Sequence, residues 1–341
     1  MTPPAGTYTQ HGKQWIRSAN LVVLKGGQGP VGSPTTYTGP TVPLIGLDLS
    51  QLHFHFSIHG ADLESPNTMV VRIYNLAEST ANALINEYDH ITLQAGYVGA
   101  AVGVVFCGTI KQFKKGKESN TDTYLEISAG DNDLGYNFGF VNLVLATNST
   151  PGDILTAAAV AMGVTVDPAA TDFLNTTGIV YPRGQVVWNL SRVVLRGLAE
   201  THSARWFVTT TAPGKSVLHF VPNTSYLPGE AIVIGSDTGL ISTPESTANG
   251  ITFRCELNPL LKIGSAVYID SGYITGKKII QQGYPTRTNV TEFTAIIDTQ
   301  KLYKVLSLDM EGDNRGQDWY SDVVCLAISA SNPTNPVVAN P

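Results

Sequence analysis

The chain reads as a mainly β protein with a small α+β insert, and three observations carry that expectation. Two stretches, 69–131 and 250–313, follow one design about 180 residues apart: β-rich runs, a turn carrying glycine, another apolar strand, and a terminal strand ending in Gly-Asp. Charged residues make up only 14% of the chain, while Thr, Val and Ile are plentiful. Globular chains usually carry about a quarter charged residues; a low charge suits large contacts between subunits, and β-branched residues suit strands. The strongest helix signals fall between 150 and 222. Two similar β modules give one chain two equivalent surfaces, which serves assembly better than an active site.

Taken in order, residues 1–14 are polar and rich in Pro, Gly and Thr, which predicts an arm or a disordered end. The first strand is predicted over 15–24. A Gly/Pro/Thr loop follows to 43, longer than a simple turn needs. In LHFHFSIHG, Leu52, Phe54, Phe56 and Ile58 point one way, and His53, His55, Ser57 and His59 the other. A short helix is predicted over 77–88, then strands over 89–97, 104–114 and 123–131. At 150 the character changes. Thr150 is a candidate N-cap, Pro151 takes the first helical position and Gly163 stands at the stop of a helix over 151–162. The spacing of Val187, Leu190, Val194 and Leu198 predicts a second helix over 185–202. Strand-like segments lie between them at 164–166 and 178–181. ARWFVTT and SVLHFVP, separated by Ala-Pro-Gly-Lys, predict a hairpin. AIVIG is a strand in a connector, the second β module follows, and the tail SASNPTNPVVANP is expected to be extended or disordered.

A chain of 341 residues can hold two to four domains and bury ample core. Its formal charge of −6 argues against a protein that grips phosphate backbones. Cys107, Cys255 and Cys325 are sparse, odd in number and set in apolar runs, so reduced core thiols made in a cytoplasm are expected rather than a disulfide framework. The N-terminus has no basic region followed by an apolar run, so no signal peptide is expected. No apolar stretch approaches the roughly 18 residues of a membrane helix, so no membrane insertion is expected.

Candidate sites are few. His53, His55 and His59 share one strand face, but no carboxylate or cysteine lies beside them in sequence, so a polar surface or interface face is favoured over a metal site. Asp131-Asn132-Asp133 with Asp122 lacks the EF-hand pattern and reads as a turn. Glu200 and His202 sit at a predicted helix end. Gly26-Gly27-Gln28-Gly29 lacks the Lys-Ser/Thr ending of a phosphate loop. Lys111, Lys114, Lys115 and Lys117 form the one basic cluster, expected near a hairpin tip. No nucleophile motif is present, and no acid pair for glycoside hydrolysis can be assigned. No catalytic, cofactor or metal residue is assigned.

Five motifs in order carry a family resemblance: Ile73-Tyr74-Asn75-Leu76 before a short helix; Leu93-Gln94-Ala95-Gly96-Tyr97 with Val105-Phe106-Cys107-Gly108-Thr109-Ile110; Thr150-Pro151-Gly152-Asp153-Ile154-Leu155; Leu257-Asn258-Pro259 with Gly264 and Val267; and Tyr303-Lys304-Val305 leading to Glu311-Gly312-Asp313 and Asp318-Trp319. Over roughly 15–326 the chain resembles the baseplate hub proteins of long-tailed bacteriophages, the late control D family related to the hub portion of type VI secretion spikes. The resemblance implies two tail-tube-like antiparallel β-barrel modules plus a small helix-containing domain. It divides the chain into an arm (1–14), a first tube-like module (15–149), an α+β insert (150–222), a connector (223–247), a second tube-like module (248–328) and a tail (329–341). It implies a homotrimer forming a pseudo-sixfold ring, with a tail tube or distal tail protein above, a spike or tip protein below and other baseplate proteins around it. DNA would be met only in passage through the channel, whose lining is expected to be neutral or acidic, with 21 basic against 27 acidic residues in the chain. The expected place is the virion tail baseplate, assembled in the host cytoplasm, and the expected role is structural rather than enzymatic, without a cofactor. A tail-associated peptidoglycan hydrolase is the runner-up, and a carbohydrate-binding β protein a more distant third.

Overall fold

A computed structural model describes residues 8–9, 16–25, 45–62, 64–247, 250–269, 275–276, 279–280, 292–293 and 302–327. The predicted Gly-rich loop, with Gly26–Gly29, and the C-terminal tail lie outside these residues.

The mainly β expectation holds. Fifteen strands join in one sheet. Its first half runs, in spatial order, Ile45–Asp48, Arg17–Lys25, His90–Tyr97, Val102–Lys117, Thr123–Gly130, Thr68–Tyr74 and Phe54–Ala61, each antiparallel to the next. Alternation in sequence becomes alternation in burial: Phe54, Phe56 and Ile58 are buried, while the side chains between them turn outward. Helix α1 (Glu78–Glu87) covers one end of this half with Ala81 and Leu84. Gly96 has to be glycine: its φ is +152°, and a Cβ there would lie 2.1 Å from the Ala101 carbonyl oxygen.

The second half is built around Leu302–Asp313, which pairs with Trp319–Ala327 along one side. On its other side it serves two neighbours. Residues 302–304 pair with Ala266–Ile269, and residues 307–313 pair with Phe54–Ala61 of the first half. Gly250–Glu256 and Glu245–Thr247 extend the sheet beyond Trp319–Ala327. Ala231–Ile234 runs parallel to Ala266–Ile269, and Tyr8–Thr9 parallel to Ala231–Ile234.

This pairing corrects the expectation of two tube-like barrels. Neither half closes on itself among the described residues. They share one sheet and one hydrophobic core, which takes Phe56, Met69 and Ile127 from the first half and Tyr303, Met310 and Trp319 from the second. The like designs of 69–131 and 250–313 thus contribute strands to one continuous sheet and not to two separate barrels. The cause is the reach of Leu302–Asp313: at twelve residues it is long enough to be edge partner to one strand and seam partner to another.

A second core gathers residues from 136 to 220. Helix α2 (Asp133–Phe138) and the strand Phe140–Leu145 bring Tyr136, Val141 and Leu145 into it. Helix α3 (Pro151–Met162) has the predicted start and stop: Thr150 and Asp153 form a reciprocal capping box, and Gly163 ends the helix in the left-handed conformation. Helix α4 (Pro168–Thr176) is capped by the Asp167 side chain, which accepts from the Ala169 amide at 3.1 Å. The hairpin Ala204–Ala212 with Lys215–Pro222 forms as predicted. The helix predicted over 185–202 is a strand followed by a helix. Gln185–Leu190 pairs with Phe140–Leu145, and helix α5 starts only at Ser191 and runs to Thr201. Val186, Val187 and Trp188 favour a strand, and local pairing wins over the helical spacing. The segment 178–181 makes only one bridge, Ser149 with Tyr181.

Candidate functional site at the seam

The histidine face lies where the halves meet. Register sets His55 opposite Asp313, Ser57 opposite Glu311 and His59 opposite Asp309. The side chains pair along this ladder. His53 Nε2 lies 2.9 Å from Asp313 Oδ1, His55 Nε2 lies 3.3 Å from Glu311 Oε1, and His59 Nδ1 contacts Asp309. Carboxylates that are absent beside the histidines in sequence thus arrive from about 250 residues away. Asp318 joins them: His55, Glu311 and Asp318 present donor atoms that all lie within 4.8 Å of one another. Beneath the face, Phe56 meets Trp319 edge-on with ring centroids 5.7 Å apart.

The second junction, between the sheet and the helical insert, is built differently. Asp131 ends the strand Thr123–Gly130 and is buried. It accepts from the Thr210 amide at 3.2 Å, from the Thr210 hydroxyl and from Asn67 Nδ2 at 3.3 Å. Burial pushes its carboxyl up to about 7, against the lowering effect of these hydrogen bonds. A small cavity of about 90 Å³ adjoins it, lined by residues of both sheet halves and of the insert hairpin. Asp62 and Lys304 are buried at the same junction. Arg205 Nη1 reaches Asp62 Oδ1 at 3.4 Å, and Lys304 Nζ donates to the Pro222 carbonyl at 3.4 Å. Burial raises Asp62 to about 6 and lowers Lys304 to about 8. Sequence reasoning takes Asp131 for a turn residue and passes over Asp62. Lys304 lies inside a quoted motif, but its burial has no local sequence signal.

The remaining predicted residues scatter. Asp122 sits at a hairpin tip, where Asn75 Nδ2 and the Ser119 hydroxyl donate to it at 3.1 and 2.9 Å. The strand Thr123–Gly130 separates it from Asp131 by about 30 Å at the usual rise, so the four residues form no common site. The lysine cluster spreads along Val102–Lys117 instead of gathering at the tip. Lys111 is the extra residue of a β-bulge and pairs with Asp133 at 2.6 Å, Lys114 lies 3.8 Å from Glu126, and Lys115 donates to Asn82 at 2.5 Å. Glu200 lines a cleft of about 550 Å³ with Asp62, Glu64, Arg196 and Arg205. Arg196 holds Glu64, as Arg205 holds Asp62. His202 is turned inward, edge-on to Phe173, and burial lowers its pKa. The three cysteines are buried and free. Burial raises all three thiols, Cys107 to about 11, which keeps them protonated and unreactive near neutrality. Among the described residues no helix is long and apolar enough to cross a membrane.

One exposed surface has no counterpart in the sequence reading. On the outer face of the ribbon formed by Phe140–Leu145 and Gln185–Leu190 stand Phe140, Val144, Val186 and Trp188, with Phe138 beside them. Trp188 is 69% exposed and meets Phe140 edge-on at 5.2 Å. Apolar clusters of this kind mark contact surfaces.

No protein-family model matches the chain, and no curated protein matches it. Solved structures do. The 43 kDa tail protein of prophage MuSo2 from Shewanella oneidensis aligns with a TM-score of 0.51 at 9% identity, covering 90% of this chain and 96% of that one. The tail protein from Neisseria meningitidis MC58 aligns at 0.52 and 9% identity, covering 92% and 97%. A chain of the PdpA–VgrG complex aligns at 0.51 and 10% identity, covering 95% of this chain and 67% of that one. At such identities the fold is what is shared, and it is shared along almost the whole chain.

Proposed function

We propose that this chain is a structural hub of a phage tail baseplate. Three copies would form a pseudo-sixfold ring between the tail tube and the central spike, through which DNA passes. One observation carries the reading: the fold match extends over nine-tenths or more of this chain and of two tail proteins at once. The continuous sheet supports the ring physically. Among the described residues its outermost strands differ, Ile45–Asp48 at one end and Thr275–Gly276 at the other. Unlike edges favour heterologous, head-to-tail contacts, and such contacts build rings when the rotation closes. The low charge and the exposed apolar ribbon suit burial against neighbours. A spike or tip protein is the proposed partner below, a tube or distal tail protein above, and other baseplate proteins around the insert. The proposed place is the virion tail, assembled in the host cytoplasm.

The test is the mass of the purified full chain by light scattering, with negative-stain images. A trimer with ring views is expected. A stable monomer at micromolar concentration, with no ring in a tail preparation, overturns the reading.

A second reading, a cell-wall hydrolase, draws on the cleft lined by Asp62, Glu64 and Glu200. Asp62, held near 6, has the character of a general acid. Its side chain is only 4% exposed and is tied to Arg205, which favours a structural carboxylate. A peptidoglycan zymogram separates the two readings: the hub leaves the gel uncleared, and the hydrolase clears it.

A further inference from the structure

We infer that the seam carries a divalent transition-metal site, formed by His55, Glu311 and Asp318, that fastens the two halves of the sheet. The inference rests on the geometry of the chain alone and is independent of the proposed ring.

The donor set is one imidazole and two carboxylates, a combination that suits zinc and similar ions. The donors come from two paired strands and the turn that follows the second. His55 sits on Phe54–Ala61 and Glu311 on Leu302–Asp313, locked in register by the seam ladder. Asp318 follows a tight turn. The Asp313 carboxylate accepts from the Arg315 and Gly316 amides at 2.8 and 2.6 Å, and the Asp313 amide donates to the Asp318 carbonyl at 2.8 Å. Two ligand atoms at about 2.1 Å from a tetrahedral ion stand about 3.4 Å apart. The His55 Nε2 to Glu311 Oε1 distance is 3.3 Å, close to that edge of a tetrahedron, and an Asp318 carboxylate oxygen lies within 4.8 Å of both.

The surroundings support an ion. The Tyr320 hydroxyl donates to Glu311 Oε2, which orients the carboxylate and leaves Oε1 toward His55. The nearby arginines are engaged elsewhere. Arg254 pairs with Asp322 at 2.7 Å and covers the Tyr320 ring, Arg315 donates to the Gln51 carbonyl, and Arg17 donates to the Gly316 and Gln317 carbonyls. Among the described residues no lysine or arginine pairs with Glu311 or Asp318. Two carboxylates converge on one imidazole, and Arg254, the arginine whose charge reaches Glu311, is committed to Asp322; a divalent cation would balance the remaining negative charge. Three protein ligands leave a fourth position for water. Such an ion links the first half through His55 to the second through Glu311 and Asp318.

The test uses the full chain, stripped with chelator and dialysed. Zinc chloride is titrated in a calorimeter, thermal melts are recorded with and without zinc, and cobalt(II) absorption reports the geometry. One zinc per chain, a melting temperature several degrees higher with zinc, and visible cobalt bands of a four- or five-coordinate site are expected. His55→Gln and Asp318→Asn should each weaken zinc binding at least tenfold, while His59→Gln leaves it unchanged. Should either variant fold poorly, Glu311→Gln carries the same expectation. No stoichiometric zinc, zinc binding unaltered in folded His55→Gln and Asp318→Asn, or equal loss in His59→Gln overturns the proposal.

Discussion

Two junctions hold this molecule together, and they use opposite means. At the seam, Phe54–Ala61 joins Leu302–Asp313 through a backbone ladder, an apolar underside and partly exposed ionisable pairs on top. Where the sheet meets the insert the described residues form no ladder. Side chains do the joining, and several are buried and ionisable: Asp131, Asp62 and Lys304. The seam costs little to desolvate and tolerates change on its polar side. The insert junction carries desolvated groups whose stabilisation depends on each hydrogen bond made. The first is a robust joint, the second a specific one.

The largest effect should come from the apolar underside of the seam. Phe56 is fully buried against Trp319 and beneath Gly312, where an added Cβ would lie 2.5 Å from the Phe56 ring. Phe56→Ala should destabilise the sheet by about 3–5 kcal/mol, read as a lower urea midpoint. If the two cores unfold separately, as multi-core chains can, Phe56→Ala shifts one transition and Trp206→Ala, in the insert core, the other. A single transition moved equally by both variants would show that the junctions couple the cores fully.

The next effect is pH-dependent and belongs to the insert junction. Asp131 is raised to about 7 in the folded chain, whereas an unfolded Asp titrates near 3.9. Between those values the folded state binds more protons than the unfolded state, so this group's contribution falls as pH rises through the window and is flat above it. The loss is at most about 4 kcal/mol. Asp131→Asn should remove that slope, so the stability gap between variant and parent should change between pH 5 and 8. Parallel curves for the two proteins would mean that Asp131 is not held protonated.

Thr210→Val tests the same junction from the other side. It deletes a hydroxyl donor to a buried carboxyl and should cost about 1–3 kcal/mol. The smallest effect is expected on the polar face of the seam. His59 and Asp309 are more than half exposed, and His59→Gln in metal-free protein should change stability by less than about 0.5 kcal/mol. A loss as large as that of Thr210→Val would erase the contrast between the junctions.

The sequence makes the local half of this architecture legible and hides the other half. Period-two alternation locates Phe54, Phe56 and Ile58 and sends His53, His55 and His59 outward, because burial on one sheet face is a local rule. Thr150, Pro151 and Gly163 bound a helix for equally local reasons. Helix α4 has signals that could have found it, Asp167 as cap and Pro168 at the first position, but PAATDFLNT has a thin apolar stripe. The stretch 185–190 fits helical spacing and β propensity alike, and only its partner at 140–145 decides. Partner choice is what the sequence withholds most completely. Nothing local to His55 announces Glu311, and nothing in LYKVLSLDMEGD says that its two ends face different neighbours. The buried state of Asp131 is withheld for the same reason, since Thr210 closes over it from 79 residues away.

Leu302–Asp313 is also where a load passes from one half of the chain to the other. Seven residue pairs, from Ser307 with Ala61 to Asp313 with His55, connect the halves side by side. A pull along the strands meets all of them at once, in shear. A pull across the strands at one end opens them one after another, as a zipper. The same ladder is therefore stiff in one direction and compliant in another, and the turn 314–318, folded against the His55 end, stands where such a zipper would start.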